Sequence, residues 1–453
     1  MDFITRLPRR LHRRSVLLLA ILLVFFCILN FKFHSSVRQS SNNNRAFEAT
    51  HSNYWVRISD DVYVYSAFMD ERGPGESHIK IIGIKRMERN AKAPPRPSVQ
   101  DITKVQDVSD IQSKYECKLF YNENGRFKGI KSNKLTYFVF EEGVKEFVGV
   151  FYKCFFPLQL SPLPNTTELY ISLRPKNVKG YPDKLVWVRR KRIQSNLSIC
   201  VRPLFGPLDD LESLAQFLAY YESMGVERFT FYDLSIAPQV RHYLQTLENV
   251  QLFKWNLPTG NTSELWDYGT LTALHDCMYQ TKGFTIVVDL DEFVIPQIHA
   301  SLSDFLATRK YEKFNELVLR NVFFCLELCQ NWNSSRTDMQ FPIFSCPLRM
   351  KRIWGVHHRS KYIARAEKIV SVGHHFVTTY LNSSDPRHSD LTAYILPSVA
   401  LLGHYRRCGP IFGKRRPFTK FSNIRDDHLM SFKSKMEQSN ANQVYRQLVA
   451  VEA

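Results

Sequence analysis

Three acidic side chains interrupt an apolar, strand-forming run near the middle of the chain. The run reads "TIVVDLDEFVIP" and extends from Thr285 to Pro296, with the acids at Asp289, Asp291 and Glu292. Unpaired carboxylates beside a buried strand are unfavourable, so either the strand reaches the surface here or a cation neutralises them.

The spacing of these acids suggests what such a cation would be. In an extended chain, Asp289 and Asp291 point to one face and Glu292 to the other. Two hard oxygen ligands on one face, with diphosphate oxygens and water, would complete the octahedral shell that Mg²⁺ or Mn²⁺ requires. Glu292 would then orient backbone or sugar hydroxyl groups. The pattern predicts a metal and diphosphate site, with a solvated strand end as the alternative.

The elements before the acidic run alternate between strand and helix. Strand-like segments are "NLSICVRPLFG", "VERFTFYDLS" and "VQLFKWNLP". Between them, apolar residues recur at helical spacing: Leu208, Leu211, Leu214, Ala215, Leu218 and Tyr221, then Val240, Leu244 and Leu247, then Leu271, Leu274 and Met278. The order β-α-β-α-β-α-β predicts an α/β fold with a mostly parallel, Rossmann-like sheet, helices on both faces, and ligands at the carboxyl ends of the strands.

Phosphatases with an aspartyl nucleophile also place an Asp-x-Asp pair after an apolar strand. Their pattern continues with Thr two positions after the second Asp, where this chain has Phe293. They also tend to begin their domain with that strand, whereas here three β-α units precede it. The order of elements therefore favours nucleotide-diphosphate chemistry.

Aromatic residues near the predicted ligand end of the sheet have two interpretations. Trp255, Trp266 and Tyr268 could stack on uracil or a sugar, but aromatic residues at such spacing usually fill the core. Tyr220 and Tyr221 are expected to pack within their helix.

The region before the alternating pattern is rich in strands. Segments "VYVYSAFMD", "HIKIIGIK", "YECKLFYN" and "LTYFVFEE" are separated by Gly, Pro and Asn turn signals. We therefore predict a β-rich accessory region over 55–185. Cys117 and Cys154 bracket the apparent hairpins, which predicts a disulfide between them.

The N-terminus has the pattern of a membrane anchor. Five arginines in "RLPRRLHRR" precede an apolar segment, which predicts a cytosolic tail over 1–14, a transmembrane signal-anchor over 15–33 and a polar stem over 34–54. A cleaved secretory signal is the alternative, but no small-x-small cleavage site follows the segment. The chain is thus expected to be a single-pass type II protein, and its short span suits a thin Golgi or early secretory membrane.

Cysteines and glycosylation sequons favour a lumenal location for the remainder. With Cys27 in the anchor, an even set of eight cysteines is left: Cys117, Cys154, Cys200, Cys277, Cys325, Cys329, Cys346 and Cys408. Four disulfides would use them all, and no second closely spaced pair joins Cys325 and Cys329 to form a zinc pattern. Sequons occur at Asn165, Asn196, Asn261, Asn333 and Asn382.

The chain is strongly basic, with 61 Lys and Arg against 43 Asp and Glu and a net charge of +18. Such a balance suits nucleic acid, an anionic surface or an acidic substrate such as a nucleotide sugar. The anchor, the sequons and the even cysteine set place the basic surface away from nucleic acid.

Several segments together resemble glycosyltransferase family 92, a group with the GT-A fold. They are "CVRPLFG" at 200–206, "LAQFLAYYESMGVERFTFYD" at 214–233, "YGTLTALHDC" at 268–277, "VVDLDEFVIP" at 287–296, "SKYIARAEKIVSVGHHFV" at 360–377 and "GHYRRC" at 403–408, with a looser match in "VYVYSAFMDERG" at 62–73. Their order and coverage are far more specific than any one motif. The family usually has Gln where this chain has Thr270.

The resemblance implies a Golgi enzyme that uses a UDP-sugar and builds β-linked galactose on a glycan acceptor such as fucose. Asp289 and Asp291 look like the Mn²⁺ and diphosphate anchor, and a metal there would neutralise charge on the UDP leaving group. A GT-A glycosyltransferase domain is expected over 186–430, followed by a C-terminal tail over 431–453. A catalytically inactive lumenal glycan-binding protein with the same fold is the alternative, and the sequence leaves the oligomeric state open.

Further site residues are less narrowly defined. An inverting displacement needs a carboxylate base on the acceptor hydroxyl, and Glu327 and Asp338 are both candidates. His375 in "VGHHFV" is the first choice for a further metal ligand and His404 in "GHYRR" the second. Arg406 and its neighbour Arg407 could pair with the diphosphate, with a solvated basic face as the alternative.

Overall fold

The structure is a computed structural model of the chain. It describes residues 49–50, 54–72, 77–87, 111, 113–123, 126–141, 145–156, 167–176, 184–206, 208–259, 264–329, 341–381, 390–409 and 423–452. The predicted cytosolic tail, the signal-anchor and most of the stem lie outside these residues. Within them, no helix has the length and apolar character needed to cross a membrane. The described residues from Ala49 onward belong to one compact unit.

The predicted β-rich region forms a mostly antiparallel sheet. Its strands are β1 (Ala49–Thr50), β2 (Val56–Arg57), β3 (Val62–Asp70), β4 (His78–Arg86), β5 (Tyr115–Glu123), β6 (Arg126–Lys131), β7 (Lys134–Val139), β8 (Phe147–Phe155), β9 (Leu169–Pro175) and β10 (Leu185–Arg189). They lie in the order β6-β5-β9-β10-β3-β4-β8-β7, with β1 on β10 and β2 on β3. Cys117 and Cys154 form the predicted disulfide, which joins β5 to β8.

The alternating region follows in the predicted order. Its elements are β11 (Ile193–Val201), α1 (Leu211–Ser223), β12 (Arg228–Asp233), α2 (Pro238–Thr246), β13 (Val250–Lys254), α3 (Thr270–Gln280) and β14 (Thr281–Val288). Asp210 caps α1 by accepting a hydrogen bond from the backbone N–H of Ser213. Pro238 begins α2, where its missing N–H costs nothing.

Later elements complete this second sheet and add smaller ones. The strands are β15 (Glu292–Pro296), β16 (Glu316–Leu319), β17 (Asn321–Cys325), β18 (Leu348–Met350), β19 (Lys361–Arg365), β20 (Ile369–Val372), β21 (Val377–Tyr380), β22 (Thr392–Tyr394), β23 (Ala400–Arg406) and β24 (Asn423–Arg425), and the helices are α4 (Leu302–Leu306), α5 (Lys433–Glu437) and α6 (Asn440–Glu452).

The second sheet is mixed, with its parallel part where the sequence predicted it. Its order is β13-β12-β11-β14-β19-β16-β22. The pairs from β13 to β14 are parallel, whereas β19 is antiparallel to both of its neighbours. A separate small sheet has the order β15-β23-β17. The chain is therefore a mixed α/β protein.

Helices cover both faces of the second sheet. On one face, α1 and α2 share an apolar core with Ile199 and Ile286. On the other, α3 shares a core with Cys200 and Val287, and residues of the N-terminal sheet such as Phe151 join it. All residues of α3 are buried. This helix lies between the two large sheets, and the Cys200–Cys277 disulfide ties it to β11.

The remaining cysteines are also paired. Cys325 bonds Cys408, and Cys329 bonds Cys346. All eight cysteines of the even set therefore form four disulfides, as the sequence predicted.

Candidate active site

The acidic residues lie in a turn at the carboxyl end of β14. The prediction that Asp289 and Asp291 share a face of one extended strand is wrong, because β14 ends at Val288 and the backbone N–H of Glu292 donates to the carbonyl of Asp289 (3.1 Å). The apolar run is thus two strands, β14 and β15, which belong to different sheets. The side chains of Asp289 and Asp291 remain 27% and 48% exposed because they lie in this turn.

Glu292 is the buried centre of the acidic turn. Its Oε2 accepts the backbone N–H of Asp289 (3.0 Å) and lies 3.5 Å from Lys361 Nζ. Its Oε1 lies 3.4 Å from His404 Nδ1 and 3.5 Å from Asn321 Nδ2. The carboxylate therefore joins two basic side chains and an amide inside the protein, rather than facing away from the two aspartates as an extended strand would require.

Each aspartate contacts one of these basic side chains. Lys361 Nζ lies 3.1 Å from Asp289 Oδ2, and His404 Nε2 lies 3.0 Å from Asp291 Oδ2. Val287 pairs with Tyr362 across the sheet, which places Lys361 level with the end of β14. Glu292 pairs with His404 in the small sheet. The turn is thus held between two sheets by Lys361 on one side and His404 on the other.

Electrostatics follows from these contacts. Burial disfavours the charged form of Asp289, but Lys361 and then Arg202 hold the pKa of its carboxyl below the usual value. Burial likewise disfavours charge on His404, yet Asp291 and Glu292 raise the pKa of its imidazole. Burial raises the pKa of Glu292 to about 7 against the opposing charge of Lys361. The charge states of Asp289, Glu292 and His404 therefore depend on one another and on Lys361.

Helix α1 fixes the strand that follows the turn. The hydroxyl of Tyr221 donates to the Glu292 carbonyl (2.9 Å) and accepts from the backbone N–H of Val294 (3.1 Å). The Tyr220 hydroxyl donates to the Val294 carbonyl (2.6 Å). Both rings are buried, as the prediction of helix packing implies, and their hydroxyl groups also hold β15 in place.

A second turn, residues 266–269, precedes α3 and has an uncommon backbone. Asp267 (φ 45°) and Tyr268 (φ 58°) are left-handed without being glycine, and Gly269 (φ 74°) continues the conformation. Left-handed residues other than glycine cost free energy and concentrate at functional sites. The Trp255 indole N–H donates to the carbonyl of Tyr268 (2.9 Å) and supports the turn from the core.

This turn presents aromatic faces beside the first strand of the second sheet. Phe205 stacks on Tyr268 with ring centroids 4.1 Å apart, and Arg202 Cζ lies 4.8 Å from the Phe205 ring. Arg202 also forms an ion pair with Asp267. Trp266 is 46% exposed, unlike the buried Trp255, so core packing explains only one of the two tryptophans.

The predicted histidines lie near the acidic turn in different ways. His375 Nδ1 lies 2.9 Å from the Ser360 carbonyl, next to Lys361, and His374 Nε2 accepts the Trp266 indole N–H (3.1 Å). His404, the second choice from the sequence, is the histidine that contacts an acidic-turn aspartate. Burial and the charge of Lys361 lower the pKa of His375 and therefore keep its imidazole neutral.

Glu327 and Arg406 lie at the ends of two paired strands, β17 and β23, and β23 is the strand that carries His404. Glu327 follows β17 and accepts the backbone N–H groups of Cys408 (3.1 Å) and Gly409 (2.9 Å). Partial burial acts to raise the pKa of the Glu327 carboxyl, but the two N–H donors more than offset this effect, so the pKa lies below its usual value. Arg406 ends β23, and its guanidinium carbon lies 5.7 Å from the ring centroid of Phe323.

Other predicted site residues are outside the described part of the chain. These are Asp338 and the sequon residues Asn165, Asn261, Asn333 and Asn382. Asn196 is described and exposed, and its side-chain amide donates to Glu227 (2.7 Å).

The acidic turn suits an incomplete protein shell for a divalent cation. Among the described residues, no three His, Cys, Asp or Glu side chains converge as a finished metal site. Asp289 and Asp291 supply the hard oxygen donors that Mg²⁺ and Mn²⁺ prefer, and these ions commonly complete their shell with water and substrate phosphates. The residues present fit such an ion, with His404 beside Asp291 as a further donor.

Comparison with known protein families identifies the chain's relatives. The model of glycosyltransferase family 92 matches residues 195–447, more than half of the chain. The chain belongs to glycosyltransferase family 92. The resemblance seen in the sequence is thereby confirmed, and the matched residues include the acidic turn, Lys361, His404 and Arg406.

A curated relative in this comparison is the beta-1,4-galactosyltransferase galt-1 of Caenorhabditis elegans. It is 24% identical over 206 residues, which cover 41% of this chain and 47% of the relative. The chain thus spans about half the length of the curated relative it matches.

Solved structures with partial likeness include glucosyl-3-phosphoglycerate synthase from Mycobacterium tuberculosis in complex with Mn²⁺, UDP and phosphoglyceric acid. It is 12% identical, the match covers 51% of this chain and 86% of that one, and the TM-score is 0.27. The galactosyltransferase LgtC, in complex with donor and acceptor sugar analogs, is 11% identical over 55% of this chain and 96% of its own, with a TM-score of 0.24. TM-scores of this size do not establish a shared fold.

Sequence reasoning missed several residues that the structure brings to the acidic turn. Lys361 and Asn321 each stand at the start of an apolar strand, where a lone polar residue is a weak signal for a buried partner. Arg202 lies in a segment that the family resemblance included, and Asp267 directly precedes another, but their ion pair joins residues far apart in sequence. No pattern along the chain shows that contact.

Proposed function

We propose that this family 92 member is a metal-dependent glycosyltransferase with a GT-A type fold. It transfers galactose from UDP-galactose to a glycan acceptor such as fucose, with inversion at the sugar carbon. Family membership and the C. elegans relative, which is named as a beta-1,4-galactosyltransferase, support the reaction class. The observation that carries the proposal is the acidic turn, where two partly exposed aspartates end a parallel strand and each contacts a buried basic side chain.

The residues divide into a cation side and a nucleotide side. Asp289 and Asp291 would hold Mn²⁺ or Mg²⁺, and such an ion supplies positive charge against the diphosphate leaving group. Lys361 adds a fixed positive charge beside Asp289. The stacked rings of Phe205 and Tyr268 offer a flat face to the uracil of the donor.

The acceptor hydroxyl needs a carboxylate base. Glu327 and Asp338 remain the candidates, and Glu327 is kept ionised by the two backbone N–H groups that it accepts. An ionised carboxylate within reach of the acceptor can take its proton as the sugar transfers.

The proposed location is the Golgi membrane. The N-terminal segment 15–33 would anchor the chain as a single-pass type II protein with residues after the anchor in the lumen. Four disulfides and the exposed Asn196 sequon suit that oxidising compartment.

The test is UDP release by the purified full chain. With UDP-galactose, Mn²⁺ and a fucose-terminated glycan, the wild type is expected to release UDP, and chelation with EDTA is expected to abolish release. Asp289→Ala and Asp291→Ala should each lower turnover by about a hundredfold or more, because a preorganised charge interaction at the transition state is lost.

Asp61→Ala is the matched control, since Asp61 is a 60%-exposed carboxylate in the bend directly before β3. It should leave turnover unchanged. Wild-type activity in both acidic-turn variants would show that the metal assignment is wrong. Glycan binding by the wild type without UDP release would instead indicate the inactive glycan-binding alternative.

A further inference from the structure

Two arginines pack against the same aromatic ring close to the acidic turn. The guanidinium carbons of Arg359 and Arg406 each lie 5.7 Å from the ring centroid of Phe323. Phe323 is the neighbour of His404 in the small sheet, with ring centroids 5.5 Å apart. Asp291 also adjoins β23, the strand of His404, because the Asp291 carbonyl accepts the backbone N–H of Tyr405 (2.8 Å). The arginines therefore flank the turn that holds the two aspartates.

A third arginine extends the group over a second ring. Trp354 packs on Phe323 with centroids 5.3 Å apart. Arg352 Cζ lies 4.3 Å and Arg359 Cζ 5.5 Å from the Trp354 ring. Aromatic rings hold nearby guanidinium groups in place while leaving their N–H donors free to bond elsewhere. We call Arg352, Arg359 and Arg406 the arginine cluster.

The described part of the chain supplies the arginine cluster with no carboxylate at ion-pair distance. The Nε of Arg406 is buried and has no hydrogen-bond acceptor there. Burial and then the charge of Arg406 lower the pKa of Arg359, although Glu292 acts in the opposite direction. A group of positive charges without an acceptor is unfavourable unless an anion binds among them. The buried Nε of Arg406, which lacks a hydrogen-bond acceptor in the described part of the chain, also indicates a bound anion.

The loop that carries Arg359 is also strained. His357 has φ 65° and Arg359 has φ 59°, both in the left-handed region. The Ser360 hydroxyl accepts the backbone N–H of His357 (3.1 Å) and donates to the carbonyl of His375 (3.2 Å). Surrounding contacts thus hold two costly conformations, a pattern associated with ligand-binding loops.

We propose that the arginine cluster binds an oxyanion of the phosphate or sulfate class beside the acidic turn. Guanidinium groups present planar pairs of N–H donors that match such oxygens and are stronger than neutral donors. The anion is either the diphosphate of the sugar donor or an acidic group carried by the acceptor glycan. The inference deepens the proposed function, since it rests on the acidic turn being the active site.

The experiment is calorimetric titration of the purified full chain with inorganic pyrophosphate and with sulfate, in EDTA. Wild type is expected to bind pyrophosphate. Arg359→Gln and Arg406→Gln should each weaken binding by about tenfold, the loss expected for one charge-assisted hydrogen bond. Lys351→Gln removes an exposed positive charge next to the cluster and should leave binding unchanged.

Titration with UDP and with uridine separates the two sources of the anion. If the arginine variants weaken UDP binding and spare uridine binding, the anion is the donor diphosphate. If UDP binding is unchanged while pyrophosphate and sulfate binding weaken, the anion belongs to the acceptor. If Arg359→Gln lowers the unfolding midpoint, Arg352→Gln replaces it in the comparison of UDP and uridine binding. Arg352 is exposed and is not one of the residues with a left-handed backbone.

Two results would overturn the proposal: no binding of pyrophosphate or sulfate to the wild type, or equal weakening by Lys351→Gln and the arginine variants. Because EDTA removes divalent cations and no sugar is transferred, these outcomes are independent of the turnover test for Asp289 and Asp291.

Discussion

At the residue scale, Lys361 and His404 contribute differently to the acidic turn. Asp289 and Glu292 raise the pKa of Lys361 against the effect of burial, so its ammonium stays charged. The imidazole of His404 instead bridges Asp291 and Glu292 through its two nitrogens. Breaking a buried charge pair is costly because the remaining charge is left uncompensated. Lys361 is therefore the side chain whose loss should most affect the stability of this turn.

Replacing Lys361 with Met should lower the free energy of unfolding by about 3–5 kcal/mol, since Asp289 and Glu292 lose their cation. Mn²⁺ should restore more stability to this variant than to the wild type, because the turn is then more negative. Thermal unfolding of both proteins in EDTA and in Mn²⁺ measures the difference. The exposed Lys351→Met is the control, and equal stability of Lys361→Met and wild type would contradict the charge role.

At the element scale, the hairpin of β20 and β21 positions the loop with His374 and His375. It is fixed at two points by buried polar groups. His275 of α3 accepts the backbone N–H of Val372 (3.0 Å), and Glu316 of β16 accepts the backbone N–H of Val377 (2.6 Å). The Tyr380 hydroxyl also donates to Glu316 (2.6 Å). These contacts link the loop to α3 and to the second sheet.

Glu316 should make stability depend on pH. Burial raises the pKa of its carboxyl to about 7 from the model-peptide value of 4.5. Between those pH values the unfolded chain releases a proton that the folded chain keeps, so stability falls as pH rises and levels off above about 7. The total loss is about 3 kcal/mol.

Glu316→Gln should remove this component. Urea unfolding at pH 4.5 and 7.5 should show that the wild type loses more stability between these pH values than Glu316→Gln does. Glu312 is an exposed carboxylate, so Glu312→Gln should show the same pH dependence as the wild type. A Glu316→Gln variant with the same pH dependence as wild type would contradict the buried-carboxyl explanation.

At the scale of the whole molecule, the N-terminal sheet is part of the same compact unit as the active-site sheet. Asp70 lies 3.2 Å from the fully buried Lys80 and forms a double hydrogen bond with Arg72. Lys80 contacts the hydroxyl of Tyr279 on α3, and Arg72 donates to the carbonyl of Ile369 (2.7 Å). The charged group thereby joins the N-terminal sheet to α3 and to the β20 hairpin.

Asp70→Asn should destabilise the chain by about 3–5 kcal/mol, because it leaves Lys80 and Arg72 buried without a carboxylate. Chemical denaturation should remain a single transition by tryptophan fluorescence and circular dichroism, since the two sheets share the core around α3. Asp61→Asn, which removes an exposed partner of Arg86, should cost less than about 1 kcal/mol. Separate transitions for the two sheets would contradict the shared core.

Residue periodicity predicted much of the fold. The strands around Phe229 and Leu252 and the helices around Leu214 and Leu274 form where their patterns indicate. The acidic turn was found as well, but its geometry was not, because an apolar run gives no sign of a break between two strands at Val288. A local pattern records which residues are buried and leaves open which sheet buries them.

The sequence by itself determined the order of elements, the position of the acidic residues at a strand end, the family and the even cysteine set. Only the tertiary structure decided the partners: Lys361 for Asp289, His404 for Asp291, and Glu292 between them. Those pairs join β14, β15, β19 and β23, and their contacts depend on sheet register and turn geometry. Local propensity carries no information about such distant pairings, so the side chains that position the aspartates emerged only from the folded chain.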